Sequence, residues 1–285
     1  MTLFTLHNVS YTYLEGTPFA TEALHRLSLS IESGQTTALV GPTKAGKSTL
    51  LDLLAGLIQP GEGTFLFEGS PVTDIERLRA KVGIVFQSPE AQIFEETVGK
   101  DVSFGPLQKN ISVAESRRLV QESLEAVGLP YEDFRTRYTY ALSGGQKRRV
   151  AIAGVLAMQP DVLLFDEPTA GLDPRGRREL LELIATLKHR MTIIYASSSL
   201  ADVAELADTI HILDQGQCLF SGSPRDILAR AEEIAALDIA LPEAAQIALD
   251  MRSVFPDLRT DVANLAELED VLLSASIPDR METQP

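Results

Sequence analysis

The stretch Gly41-Pro42-Thr43-Lys44-Ala45-Gly46-Lys47-Ser48-Thr49 constrains the fold of this chain more than any other segment. It fits the spacing G-x-x-x-x-G-K-[ST]. A short β-branched run, Thr36 to Val40, precedes it, and a helical pattern, Lys47 to Leu57, follows it. Strand, glycine-rich turn and helix in that order make a site for an anion. The turn points successive backbone N–H groups inward. The helix adds the unpaired donors and the dipole of its first turn. Lys47 can then reach the outer phosphates of a nucleotide, and Ser48 can ligate Mg²⁺. Thr43, Lys44, Ala45, Gly46 and Thr49 complete the candidate binding loop. A chance match in an ordinary strand–helix turn is the alternative, and the flanking strand and helix weigh against it.

The rest of the chain alternates in the same manner. Leu3 to Val9 and Leu27 to Ile31 alternate apolar and polar positions, which predicts strands joined by a loop holding Gly16 and Pro18. Gly63 to Phe67 and Val82 to Phe86 predict two more. Helical spacing covers Val113 to Gly128, Gln146 to Met158 and Arg175 to Lys188. Val162 to Phe165 and Thr192 to Ala196 are wholly apolar or β-branched, as strands buried on both faces must be. Thr209 to Leu213 and Gln217 to Phe220 flank Asp214-Gln215-Gly216 and predict a hairpin. The fold class is therefore α/β.

Composition excludes several functions. The 285 residues hold 25 basic and 40 acidic side chains, a net charge of −15. Such a surface is unsuited to neutralising phosphates along a nucleic acid. One cysteine, Cys218, rules out a disulfide framework and a cysteine zinc site. The longest apolar run, Ala151 to Met158, falls well short of the ~20 residues of a membrane span. No basic residue precedes Arg26, so a signal peptide is not expected. Docking on a membrane protein stays open. Composition shifts near Pro224: the segment from Arg225 onward has five arginines, no lysine and thirteen acids, rich in Ala and Leu and broken by Pro242 and Pro256. It reads as a small acidic helical appendage, residues 231–285, behind a main domain of residues 1–230. Ile277 to Pro285 is expected to fray.

Val162-Leu163-Leu164-Phe165-Asp166-Glu167-Pro168 supplies the second element of a site. An apolar strand ending in two carboxylates places Asp166 for a Mg²⁺ ion or its water, and Glu167 as general base for a hydrolytic water. Leu142-Ser143-Gly144-Gly145-Gln146 is the third. On its own it is an N-capped helix start with Ser143 as the cap. Together the three motifs resemble the ATP-binding domains of ABC ATPases over residues 1 to about 230. That resemblance implies a P-loop domain with a mixed-sheet core, a β subdomain and a helical signature subdomain. It implies ATP and Mg²⁺ as ligands, and two domains meeting head to tail. Ser143, Gly144, Gly145 and Gln146 of one chain would then face the ATP on the phosphate loop of the other. It further implies Tyr13 as the aromatic on adenine, Gln87 as the glutamine near Mg²⁺ and the attacking water, and Asp173 in Gly171-Leu172-Asp173-Pro174 as the residue crossing the dimer interface.

Tyr11-Thr12-Tyr13, Gly16-Thr17-Pro18-Phe19, Pro89 to Thr97 and Asp101-Val102-Ser103-Phe104-Gly105-Pro106 narrow the resemblance to the ATPases of energy-coupling factor (ECF) transporters, closest to the second of their two paired ATPases. These import vitamins and transition metals. The resemblance implies a heterodimer with a similar ATPase, a transmembrane coupling subunit received near Ala91 to Phe94, a separate substrate-binding membrane subunit, and a place on the cytoplasmic face of the membrane. The acidic appendage would support dimer contacts. A regulatory nucleotide sensor with little turnover is the second reading; an ABC protein of ribosomes or DNA is a third, and the acidic charge and the lack of a second ATPase domain weigh against it.

Two residues depart from the pattern. The family carries His in the loop after the strand Thr192 to Ala196, against the γ-phosphate; here that position is Ser198, a shorter side chain that cannot be charged. His189 and His211 lie in neighbouring segments, too far along the chain to replace it. Lys44 stands where a glycine is usual. If its backbone needs positive φ, the side chain costs about 1–2 kcal/mol. Ser198 with Glu167 retained predicts a weak site on this chain's own Lys47 and Asp166, and most turnover at the partner's site.

Overall fold

The apolar strands foreseen near residues 36, 162 and 192 lie side by side, and everything else is arranged around them. The structure, a computed structural model, describes residues 1–109 and 111–274. The strands are β1 (Thr2–Tyr13), β2 (Thr21–Glu32), β3 (Thr36–Val40), β4 (Glu62–Phe67), β5 (Ser70–Pro71), β6 (Val82–Val85), β7 (Val162–Asp166), β8 (Thr192–Ser197), β9 (Thr209–Asp214) and β10 (Gln217–Gly222). The helices are α1 (Lys47–Leu54), α2 (Ile75–Lys81), α3 (Val98–Gln108), α4 (Val113–Ala126), α5 (Tyr131–Phe134), α6 (Gly144–Ala157), α7 (Pro174–Leu187), α8 (Pro224–Leu228), α9 (Ala231–Ala235), α10 (Glu243–Met251) and α11 (Leu265–Ser274). Ile277 to Pro285, where fraying was expected, lies outside the described residues.

Six strands form a sheet in the order β10-β9-β3-β8-β7-β6, with β9, β3, β8, β7 and β6 parallel and only β10 antiparallel. Four more form an antiparallel sheet, β2-β1-β4-β5. Period-2 alternation divides the core into two layers. Ala38, Val40, Leu163, Phe165, Ile193 and Tyr195 face α3, α4, α6 and α7. Leu39, Val162, Leu164, Ile194 and Ala196 face α1 and the antiparallel sheet. Both faces of β3, β7 and β8 are therefore covered, which is why these strands carry no alternation in sequence.

Besides the four-residue α5, two helices, α2 and α3, were not expected. Each has a legible start: the Asp74 side chain accepts from the Arg77 N–H at 3.0 Å and caps α2, and Thr97 precedes α3. Pro106 and two glycines hide α3 in the sequence. Between Pro224 and Ser274 the chain forms four helices, α8 to α11. Ile234, Ile239, Ala245, Ala248, Val262 and Leu268 join the same apolar layer as β3 and β8. Two contacts tie it to the site: Ala240 pairs with Ser199 as a parallel bridge, and the Leu200 N–H donates to the Ala240 carbonyl at 2.8 Å.

Candidate active site

Parallel strands deliver their carboxyl ends to one edge, and in open α/β sheets that edge is where ligands bind. Here it collects the loops after β3, β6, β7 and β8. Register pairs Val40 with Ser197, Asp166 with Ala196 and Val85 with Phe165. Gly41 to Gly46, Gln87, Asp166-Glu167 and Ser197-Ser198 are thus assembled from four distant parts of the sequence.

The phosphate loop has the conformation its residues predict. Lys44 is at φ 70° and Gly46 at φ 98°, two left-handed residues flanking Ala45. Such alternation turns N–H groups inward. Lys44 therefore does carry the cost of a left-handed side chain, about 1–2 kcal/mol. No side chain caps α1, whose first-turn donors are left for a ligand. Gly41 is required by close approach: a Cβ there would lie 2.1 Å from the Leu213 carbonyl oxygen.

Lys47 is buried and points back into its own loop. Its Nζ donates to the carbonyls of Gly41 at 2.7 Å and Pro42 at 2.9 Å, and lies 3.2 Å from Oε1 of Glu167. Glu167 is itself left-handed, at φ 45°, which lifts its side chain off the strand axis. Its other oxygen, Oε2, accepts from the Ser198 N–H at 3.1 Å and the Ser198 hydroxyl at 3.3 Å. Ser198, foreseen as a weak substitute against a γ-phosphate, is here a double donor to the candidate base.

Asp166 ends β7 in the interior. Burial pushes its carboxyl above the usual range, a hydrogen bond with Ser48 pulls it down, and Glu167 pushes it further up. Its Oδ1 is buried with no partner among the described residues. An orphaned carboxylate oxygen next to a hydroxyl is the donor set a hard cation takes. The residues present therefore fit Mg²⁺, with Asp166 and Ser48 as the groups that would hold it. Asp52, one turn beyond Ser48 on α1, is raised as well, by burial and by Asp166; sequence reading missed it, since nothing local marks it.

Tyr13 ends β1 beside the loop: its hydroxyl lies 3.2 Å from Thr49 Oγ1, and its ring meets Tyr11 edge-on. Gln87 follows β6 on the exposed edge. His211 is buried in β9 with Nδ1 2.7 Å from Ser221 Oγ, and burial lowers it to about 4. Among the described residues no hydrogen bond joins it to Gly41–Thr49 or to Ser198.

Ser143, Gly144, Gly145 and Gln146 are not brought to this edge. Among the described residues no hydrogen bond or ion pair joins them to Gly41–Thr49. They form a reciprocal capping box at the head of α6: Ser143 Oγ accepts from the Gln146 N–H at 3.3 Å, and Gln146 Oε1 from the Ser143 N–H at 3.0 Å. A Cβ added at Gly144 or Gly145 would meet nothing within 4 Å. Asp173 caps α7, its Oδ1 accepting from the Gly176 N–H at 2.7 Å. No helix among the described residues is long and apolar enough to cross a membrane.

Comparison with known proteins agrees with this geometry. The ABC transporter family profile matches residues 24–170. The energy-coupling factor transporter ATP-binding protein EcfA2 of Clostridioides difficile is 42% identical over 273 residues, covering 93% of this chain and 95% of that protein. Among solved structures, cbiO1 of Clostridium perfringens, described as part of the ABC transporter complex cbiONQ, superposes with a TM-score of 0.73 at 36% identity, covering 83% of this chain and 94% of that one. A dimeric post-hydrolysis state of the ATP-binding cassette MJ0796 with ADP and Pi superposes with a TM-score of 0.68 at 29% identity, covering 78% and 99%. The chain belongs to the ABC transporter ATPases and, within them, to the energy-coupling factor transporter ATP-binding proteins.

Proposed function

We propose that this chain is the ATP-hydrolysing energiser of an ECF-type importer, working as one half of a head-to-tail pair with a second ECF-type ATPase on the cytoplasmic face of the membrane. In this reading residues 1–230 bind and hydrolyse ATP, and residues 231–285 support contacts within the pair. The transmembrane coupling subunit docks near Ala91 to Phe94, where Phe94 stands exposed and meets Phe104 edge-on. A separate membrane subunit binds the imported vitamin or metal ion.

The observation that carries the pairing is the open space at Gly144 and Gly145. Neither glycine is demanded by close packing within its own chain, which leaves room there for a ligand or partner. The dimeric MJ0796 cassette supports the same arrangement.

Three acts follow for the residues of the site. Lys47 exchanges the Gly41 and Pro42 carbonyls and Glu167 for the phosphates of ATP, a stronger charge partner. Glu167, freed from Lys47, accepts a proton from the attacking water. Ser198 holds the carboxylate by one oxygen, leaving the other to do this. Asp166 and Ser48, with Gln87, would hold Mg²⁺, which would supply charge neutralisation to the phosphates. Tyr13 stacks on the adenine. ATP binding closes the pair, and hydrolysis reopens it, by a shift of population between the two states.

Ser198 donates to Glu167 but brings no positive charge to the γ-phosphate. This chain's own site therefore turns over slowly, and the partner's site, completed by Ser143 and Gly145, carries most of the flux. Ser198→His in the assembly purified from native membranes should raise ATP turnover severalfold. Unchanged turnover would sink the asymmetric reading. Recovery of a lone homodimer without membrane proteins would favour the nucleotide sensor.

A further inference from the structure

Behind Glu167 and Ser198 lies a buried polar chain that no sequence motif announces. Asp202 follows β8 in a single 3₁₀ turn, Leu200–Asp202. Its side chain is 6% exposed. Oδ2 accepts from the Thr169 hydroxyl at 2.7 Å and the Ser197 hydroxyl at 3.2 Å. Its other oxygen pairs with the Arg177 guanidinium. Thr169 Oγ1 accepts in turn from the buried Tyr195 hydroxyl at 3.3 Å, and Ser197 Oγ from the Ser199 N–H at 3.0 Å. The Thr169 and Ser197 hydroxyls each give one hydrogen bond and take one, and the donors run toward a single carboxylate. Such a chain fixes geometry more firmly than separate bonds do.

The members of this chain matter for what they adjoin. Thr169 is two residues beyond Glu167, in the turn closed by the Ala170 N–H on the Glu167 carbonyl at 3.0 Å. Ser197 and Ser199 bracket Ser198. Arg177 lies on α7, one turn after its cap Asp173. Asp202 thus touches the loop of the base, the loop of its double donor and the helix begun by Asp173.

We infer that Asp202 is a positioning residue: it sets the separation of the Glu167 and Ser198 loops, so that both Ser198 donors stay on Oε2 of the base. This rests on the reading of Glu167 as the base. An apolar core could fill the same volume without hydroxyls. A polar junction of two loops and a helix is retained where relative position, rather than burial, has to be specified.

Hydrogen exchange on the full chain tests the positioning without reference to turnover. In Asp202→Asn the amides of Ser198 and Ser199 should exchange about tenfold faster, with Ile193 to Ala196 unchanged. Glu167→Gln should loosen Ser198 alone. In the membrane assembly, Asp202→Asn should remove the same share of turnover as Glu167→Gln, leave the KM for ATP within about twofold, and add nothing in the double variant. Asp202→Glu should restore part of both readouts. Unchanged exchange at Ser198, or loosening of all of β8, overturns the inference. If Asp202→Asn fails to fold, Thr169→Val removes only the tie to the Glu167 loop and should give the same exchange pattern; if Ser198 stays protected there, the inference falls. The expected faster exchange at Ser198 and Ser199 with no change in turnover would leave the positioning standing and count against Glu167 as the base.

Discussion

Two helices of this protein begin with glycines, and their glycines answer to different demands. Those before α1 serve the chain itself. Gly41 passes so close to the Leu213 carbonyl that a methyl group cannot enter, and Gly46 adopts φ 98° with the Ala23 carbonyl 2.7 Å from where a Cβ would be. Those at the head of α6 serve nothing within the chain. Gly144 and Gly145 have ordinary helical backbone and empty surroundings. The phosphate-loop end is also self-engaged, with Lys47 and Glu167 paired. The capping-box end is finished locally and offers a bare surface. One motif has its chemistry folded inward; the other presents a bare surface that the proposed pairing would use.

The comparison breaks first at Gly41. Gly41→Ala should cost about 2–4 kcal/mol of stability, because backbone rather than a side-chain tip must move. Urea unfolding of the full chain measures it; a loss below about 0.5 kcal/mol would mean the close approach is not a constraint. The second prediction concerns the strand beneath that contact. His211 lies in β9 two residues before Leu213, with its pKa lowered to about 4 by burial. Its unfolded value is about 6.5, so between those values the unfolded chain binds the proton and the folded chain does not. The sign follows: this stability is fully present above about pH 6.5 and is lost as pH falls toward 4, by up to about 3 kcal/mol. His211→Asn should flatten that part of the decline, read as the difference between wild-type and variant unfolding curves over the same pH range. An equal slope in both would remove His211 from the account. The smallest effect belongs to Gly145→Ala. Stability should change by less than about 1 kcal/mol, in the favourable direction for a helix position, while ATP turnover of the membrane assembly falls at least tenfold. Full activity in that variant would close the comparison, because the open space would then have no use.

Much of this could be read beforehand. The strand–turn–helix at Gly41, the acidic strand end at Asp166 and the start of α6 at Ser143 are local patterns, each set by residues within a few positions. Tyr13, Gln87 and Asp173 were placed by resemblance, and the structure sets them at the end of β1, just after β6 and at the cap of α7. Ser198 was located, but its partner was not: the hydrogen bonds to Glu167 join residues 31 apart in sequence. Asp52 and Asp202 were invisible for the same reason. An acid on a helix, or in a short turn, is usually solvated, and only packing shows one facing Asp166 and the other gathering Thr169, Ser197 and Arg177.

The α/β order, the anion-binding turn and the candidate site residues follow from local pattern, because hydrophobic period, glycine and charge act over a few residues at a time. The rest comes from packing. It put the acidic C-terminal helices into the same apolar layer as β3, turned Lys47 and Ser198 onto Glu167 and left Gly144 and Gly145 facing open space. Those outcomes depend on which distant segments the parallel sheet sets side by side, and pairing between strands is fixed by packing across the whole core.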